Sequence, residues 1–97
     1  MLQKLQNEIE LVGRHIDVVL VVVEHQPIGI MKLSELLQIP SHRVRYSLKV
    51  LEQLGYIKAS PSGAVATKKA SELALNLDNE IDILISRLEA MKRDHAD

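Results

Sequence analysis

The sequence predicts a mainly α-helical protein in which one small β-hairpin interrupts a series of helices. Both ends of the chain carry apolar residues at heptad spacing, which indicates long amphipathic helices. The middle is punctuated by proline and glycine, and two short β-prone segments there flank a Ser-Pro-Ser-Gly turn. The 97 residues are enough for one domain with one modest core. That single domain, 1–97, divides into a first helix (1–25), a middle of short elements (30–67) and a last helix (68–95).

The first helix carries an apolar stripe that runs through three heptads. Gly13 lies inside the helix and costs about 1 kcal/mol relative to alanine, so tertiary packing is needed to hold it. Pro27 and Gly29 then break the helix. The stripe consists of Leu2, Leu5, Ile9, Val12, Ile16, Val19 and Val23.

Two short elements are predicted directly after this break. Ile30 and Met31 are placed in an extended piece, and one or two helical turns follow in "KLSELLQ", residues 32–38. Pro40 disfavours the α conformation of the residue before it, and so ends these turns.

The next helix is predicted from Ser41 to Leu54. The Ser41 hydroxyl suits an N-cap, because it can accept from a backbone N–H two or three residues further on. Gly55 suits the left-handed position that ends many helices. Two short strands follow, "YIKA" at 56–59 and "AVAT" at 64–67, and the "SPSG" between them has the composition of a type I turn.

The last helix is expected to begin after a cap at Thr67, and it repeats the heptad stripe. Such a stripe needs another surface to cover it, either the other end of the same chain or a second copy. Each end helix is about 35 Å long, more than a core of roughly forty middle residues could cover. This favours a homodimer. The predicted dimerisation residues are Leu5, Ile9, Val12 and Ile16 in the first helix and Leu77, Ile81, Leu84, Leu88 and Met91 in the last.

Charge is divided unevenly along the chain. Residues 31–69 hold seven lysines and arginines against two glutamates, a balance of +5, although the whole chain has a net charge of −1. Residues 1–30 have a balance of −2 and residues 70–97 one of −4. A basic middle between acidic ends is typical of a chain whose middle faces a polyanion. Ordinary solvated surface charge is the alternative.

The segment "KLSELLQIPSHRVRYSLKVLEQLGYI" resembles the winged helix-turn-helix family of MarR-like and ArsR-like regulators. The segment "ATKKASEL" is similar to the threonine-capped start of that family's final helix, and the resemblance covers about residues 16–75. Lys32 stands where the family often has a Ser or Thr cap, Ala70 where it often has glycine, and the wing tip has no Arg or Lys. The usual apolar and glycine positions are filled by Val44, Leu48, Leu51, Gly55 and Ile57.

The resemblance implies a winged helix-turn-helix fold with long terminal helices and a recognition helix at 41–54 that lies in the major groove of duplex DNA. Helical geometry at about 100° per residue places Val44, Leu48 and Leu51 on one face, extended by Leu54. Several polar and basic side chains then fall on the opposite side. Arginine can bond guanine O6 and N7 together, whereas lysine suits phosphates. The predicted DNA-binding residues are Ser41, His42, Arg43, Arg45, Tyr46 and Lys49 in the helix, and Lys58, Lys68, Lys69 and Lys32 around it.

Other functions have weaker support. Without cysteine there is no disulfide or thiolate metal site, and the four histidines show no HxxxH or HxH spacing. A loose cluster at Asp94 to Asp97 lies at a terminus expected to fray. Neither a glycine-rich phosphate loop nor an acid–base pair is recognisable, so no enzyme, cofactor or metal is predicted.

The sequence also predicts no partnership with membranes. Its longest apolar run, Val18 to Val23, is far short of the roughly 20 residues that a membrane span needs. The start does not have the apolar region of a signal peptide, and a soluble cytoplasmic protein is the expectation. The favoured function is sequence-specific DNA binding by a homodimeric transcriptional regulator. The alternative is a winged-helix adaptor that binds proteins through its coiled-coil helices.

Overall fold

The computed structural model describes residues 1–94, with side chains described through residue 92, and places four helices and a two-stranded hairpin in that part of the chain. This confirms the mainly helical class with one small hairpin. The elements are α1 (Leu2–His25), α2 (Ile30–Leu37), α3 (Ser41–Gln53), β1 (Ile57–Ser60), β2 (Gly63–Ala66) and α4 (Lys68–Asp94).

The core lies where α1, α2, α3 and the hairpin meet. From α1 it takes Val18 and Val22, which are one helical turn apart, and only Val19 is shared with the heptad stripe. The core face of α1 therefore lies beside the stripe and overlaps it at its C-terminal end, where Val23 also packs against the core. No helix within residues 1–94 combines the length and the apolar character needed to cross a lipid bilayer. The other buried apolar residues are Ile28, Leu33, Val44, Leu51, Ile57, Ala64 and Ala70.

The extended residue after α1 is Ile28, so the prediction for Ile30 and Met31 is wrong. The Ile28 N–H donates to the Ala64 carbonyl at 3.1 Å, and the Ala64 N–H donates back at 2.8 Å. Ile30 and Met31 instead begin α2, because Gly29 already has the extended backbone of an N-cap. The extended residue directly follows Pro27 because it pairs with β2, a strand distant in sequence.

The hairpin strands pair antiparallel, with Ile57 opposite Ala66 and Ser60 opposite Gly63. Gly63 has a φ of +129°, and a Cβ built on it would lie 2.6 Å from the carbonyl carbon of Ile28. Only glycine accommodates both the backbone conformation and this close approach. Ile28 can therefore pair with β2 because position 63 has no side chain.

We expect Gly63→Ala and Gly13→Ala to change stability in opposite directions. Alanine at 63 meets the Ile28 backbone in a strained conformation, and should lower the free energy of unfolding by at least about 1 kcal/mol. Alanine at 13 meets nothing within 4 Å in the middle of α1 and should raise it by about 1 kcal/mol. Urea denaturation at a fixed protein concentration measures both. A neutral Gly63→Ala would show that the close approach has no energetic consequence.

Two predicted caps are not formed as expected. Pro40 is the N-cap of α3, with Ser41 as its first helical residue, and no side chain caps the α3 N-terminus. The Thr67 hydroxyl donates to the carbonyls of Gly55 and Tyr56 instead of accepting from an N–H of α4. Thr67 contributes its backbone carbonyl to the first turn of α4, where Ala70 and Ser71 donate to it.

Candidate nucleic-acid interface

Helix α3 follows α2 through a tight turn. Gln38 adopts a left-handed backbone conformation with φ 54° and ψ 44°. The Ser34 hydroxyl donates to the carbonyl of Ile39, whose own N–H donates back to the Ser34 carbonyl. Pro40 is extended, and its carbonyl accepts from the Val44 N–H at 3.2 Å to begin α3. The turn thus sets the angle at which α3 leaves α2.

The inward face of α3 is centred on Val44, Ser47 and Leu51, which are 0%, 0% and 3% exposed. Leu48 is only half-buried, and Leu54, which was expected to extend the face, is 52% exposed. The burial of Ser47 and the partial exposure of Leu48 place the buried face nearer Ser47 than predicted, because α1 packs against that side of α3. Leu54 is exposed as the C-cap residue at the end of the helix.

Three side chains that can carry positive charge lie on the opposite side of α3. His42, Arg45 and Lys49 are exposed, as the helical geometry predicts, and lie between about 100° and 160° around the helix from Val44. In the part of the chain that the structure describes, none of the three forms an ion pair. Glu52, near the end of the helix, is the one acidic residue of α3.

Two further predicted residues of α3 face α1. The Tyr46 ring is 6.0 Å from the His15 ring between centroids, and Cζ of Arg14 also lies 6.0 Å from the Tyr46 centroid. Arg43 lines an open groove of about 600 Å³ that it shares with Asp17 and other residues of α1. Tyr46 and Arg43 therefore lie at the edge of the candidate interface, beside α1.

A polar cluster that the sequence prediction missed holds α1 to α3. Ser47 Oγ, fully buried, accepts from Arg14 Nε at 3.2 Å and lies 2.8 Å from His15 Nδ1. Burial and the neighbouring Arg14 charge lower the pKa of His15 below its ordinary value. The signal in the sequence was a serine between Val44 and Leu51 on an otherwise apolar face, since a buried hydroxyl needs a partner.

The C-terminus of α3 confirms the prediction for Gly55, whose φ is +87°. Its N–H donates to the Glu52 carbonyl at 3.1 Å, and the Tyr56 N–H donates to the Leu51 carbonyl at 2.9 Å. These two bonds form a Schellman motif, which satisfies carbonyls that a helix end leaves free.

The first turn of α4 binds the same end of α3. The Lys69 ammonium donates to the Leu54 carbonyl at 2.7 Å and lies 4.6 Å from the centroid of the Tyr56 ring. A cation at a helix C-terminus is also favoured by the helix dipole. The geometry thus gives Lys69 a structural contact, although we predicted it to bind DNA.

The remaining predicted DNA-binding residues lie on four different elements. Lys68 is exposed at the first position of α4, and Lys58 is exposed in β1. Lys32 is exposed in α2, 3.8 Å from the Glu35 carboxylate. Ser41 is half-buried at the start of α3.

A second feature is an apolar trough between α1 and α4, with a volume of about 290 Å³. Helix α1 contributes Val12, Ile16 and Val19, so the stripe that we predicted for dimerisation lines one wall. His15, Glu80, Leu51, Leu54 and Tyr56 also reach the trough. The wall from α4 consists of Leu73, Leu77, Ile81 and Leu84.

Most of the predicted dimerisation residues are exposed in the single chain. Ile16 and Leu77 are half-buried, whereas the other seven are between 38% and 54% exposed. Folding of one chain therefore leaves both stripes only partly covered. The exposed members are Leu5, Ile9, Val12, Ile81, Leu84, Leu88 and Met91.

A scan against protein-family models finds no match to this chain, and a search of curated proteins finds none either. Within the described residues, no group of three or more His, Cys, Asp or Glu is placed to hold a metal ion. The predicted cluster at Asp94 to Asp97 lies outside the residues whose side chains are described.

Proposed function

We propose that this chain is a winged helix-turn-helix protein that binds duplex DNA as a homodimer and regulates transcription in the cytoplasm. The order of elements supports this proposal: α1, the bridge at Ile28, α2, a tight turn, α3, a hairpin and α4. In such a fold α3 is the recognition helix, and the hairpin is the wing.

The observation that carries the proposal is the row of exposed His42, Arg45 and Lys49 on the side of α3 away from the core. An α-helix fits the major groove, where the planar guanidinium of Arg45 can bond two acceptors of one guanine. Lys49 suits a phosphate, because a flexible point charge is enough there. None of the three forms an ion pair among the described residues, so each is available to a polyanion.

Lys68 offers independent support from its position. A cation at the N-terminus of a helix is disfavoured by the helix dipole, whereas an anion is favoured. Lys69 is compensated by its contact with the end of α3, but no such contact is seen for Lys68 in residues 1–94. A DNA phosphate at the start of α4 would bind both the Lys68 ammonium and the free N–H groups of the helix.

The two partly covered stripes support the dimer. A monomer rarely leaves a large contiguous apolar patch in water, and a second copy presents the same apolar surface for cover. A twofold dimer would present two α3 helices to two half-sites, which in such proteins lie about one turn of DNA apart.

Salt dependence tests the proposal most directly. We expect the slope of log K against log salt to be steep, because each phosphate neutralised contributes about −0.9 and both subunits contribute cations. Fluorescence anisotropy with labelled duplexes at several salt concentrations measures this slope. Lys49→Ala should make the slope shallower by about 1 for each subunit, because one phosphate per subunit is then no longer neutralised.

The second candidate is an adaptor that binds protein partners through α1 and α4. It is favoured by the hairpin tip, residues 60–63, which has no cation to enter a minor groove, and by the exposed apolar trough. A flat salt response, or no binding to pooled duplexes at low salt, would support the adaptor and contradict DNA binding.

A further inference from the structure

The partly buried contact between α1 and α3 has an unusual composition, with one buried hydroxyl between two basic side chains. We propose that Arg14, His15 and Ser47 form a proton-sensitive contact that positions α3 against α1, and that protonation of His15 loosens it. The proposal concerns the free protein. Its extension to DNA affinity rests on the function proposed above.

Donor and acceptor counting assigns the direction of each bond. A guanidinium only donates, so Ser47 Oγ accepts from Arg14 Nε. The hydroxyl proton of Ser47 then needs an acceptor, and His15 Nδ1 at 2.8 Å is the one that the structure offers. Nδ1 can accept only when it carries no proton, so His15 must be the neutral tautomer with its proton on Nε2.

Protonation removes that arrangement. With a proton on Nδ1, His15 becomes a second donor to Ser47 Oγ, and the hydroxyl proton of the fully buried Ser47 is left without an acceptor. Two positive charges would then lie side by side on α1, both close to the Tyr46 ring.

The other groups around His15 do not compensate in the structure. Glu80 of α4 and Tyr56 line the same trough as His15, but no ion pair joins Glu80 to His15. Burial and the Arg14 charge together hold the pKa of His15 below 6.5. The contact is therefore intact at neutral pH and weakens in acid.

The pH window follows from linkage. Well above pH 6.5 His15 is neutral in both the folded and the unfolded chain, and the contact stabilises the fold fully. As the pH falls below this value, the unfolded chain takes up a proton before the folded one does, so stability decreases down to the lowered pKa. From about pH 7.5 to about pH 5.5, this one residue can raise the unfolding equilibrium constant by up to about tenfold.

Two-dimensional ¹H–¹⁵N spectroscopy of the histidine rings tests the proposal on the unmodified protein, without DNA. We expect His15 to carry its proton on Nε2 at neutral pH and to titrate below 6.5. A proton on Nδ1, or a midpoint at or above 6.5, would overturn the proposal.

Substitution provides a second test, because Asn offers an oxygen close to the position of His Nδ1 and does not titrate. In His15→Asn the unfolding equilibrium constant should rise less between about pH 7.5 and about pH 5.5 than it does in the unmodified protein. His25→Asn removes an exposed histidine outside the cluster, and it should show the same rise as the unmodified protein. An identical pH dependence for the unmodified protein and His15→Asn would overturn the proposal, and should His15→Asn not fold, the ring spectra decide.

DNA affinity is the final arm. At constant salt, lowering the pH from about 7.5 to about 5.5 should weaken DNA binding by the unmodified protein more than it weakens DNA binding by His15→Asn. If the ring spectra agree with the proposal but no duplex is bound, the DNA-binding function fails and the contact stands. If DNA is bound with the same pH dependence by both proteins, the contact does not position α3 for binding, and that extension fails.

Discussion

Replacing Ile81 and Leu84 together by lysine is expected to convert the proposed dimer into monomers or to unfold the chain. Both side chains line the apolar trough between α1 and α4, and both remain partly exposed in the single chain. In a dimer they would be covered, and burying two unpaired ammonium groups costs several kcal/mol. Sedimentation velocity at micromolar concentration, with circular dichroism to check folding, measures the change.

Ile83→Lys is the matched control on the same helix. Ile83 is 46% exposed, similar to its neighbours, but it lies about 160° around α4 from Ile81 and about 100° from Leu84, and it does not line the trough. The control should therefore remain dimeric. If the unmodified chain sediments as a folded monomer of 10.9 kDa, the dimer proposal is wrong.

Replacing Arg45 by alanine should cost about 1–3 kcal/mol for each half-site of the best DNA site and relax the sequence preference at one base pair in each half-site. Arg45 faces outward one turn into α3, where a helix in the major groove lies closest to base edges. Lys68→Ala, by contrast, should weaken binding to all sequences alike and make the salt slope shallower by about 1 for each subunit. Binding curves against a library of single-base variants of the site separate the two effects.

Neither substitution should unfold the protein, because both side chains are exposed. If Arg45→Ala binds its best site with unchanged affinity and preference, Arg45 does not read bases. The assignment of α3 as the recognition helix would then have to be abandoned or moved to another element.

Much of the fold was predictable because its signals are local. The heptad stripes give the two long helices, and Gly55 gives the end of α3 at the residue where the left-handed conformation occurs. The "SPSG" turn gives the hairpin, although each strand is shifted by one residue from its predicted position. These features depend on residues close together in sequence.

The features that the sequence did not reveal involve contacts between residues distant in sequence. Ile28 is extended because it pairs with Ala64, and Lys69 is engaged because α4 starts beside the end of α3. Ser47 is buried because α1 supplies a guanidinium and an imidazole to that side of α3. Periodicity within one helix distinguishes apolar from polar faces, but it does not identify the neighbouring element that meets a polar residue.

The positions of the two tyrosines make them intrinsic fluorescent probes of two contacts of α3, called here the α1 and α4 joints. The chain has no tryptophan or phenylalanine, so ultraviolet emission comes from Tyr46 and Tyr56 alone. Tyr46 reports on the contact with α1, whereas Tyr56 lies beneath the Lys69 ammonium at the contact with α4. Tyr46→Phe and Tyr56→Phe each leave a single emitter. Time-resolved emission from the two variants can therefore follow each joint separately as partners bind, without any attached dye.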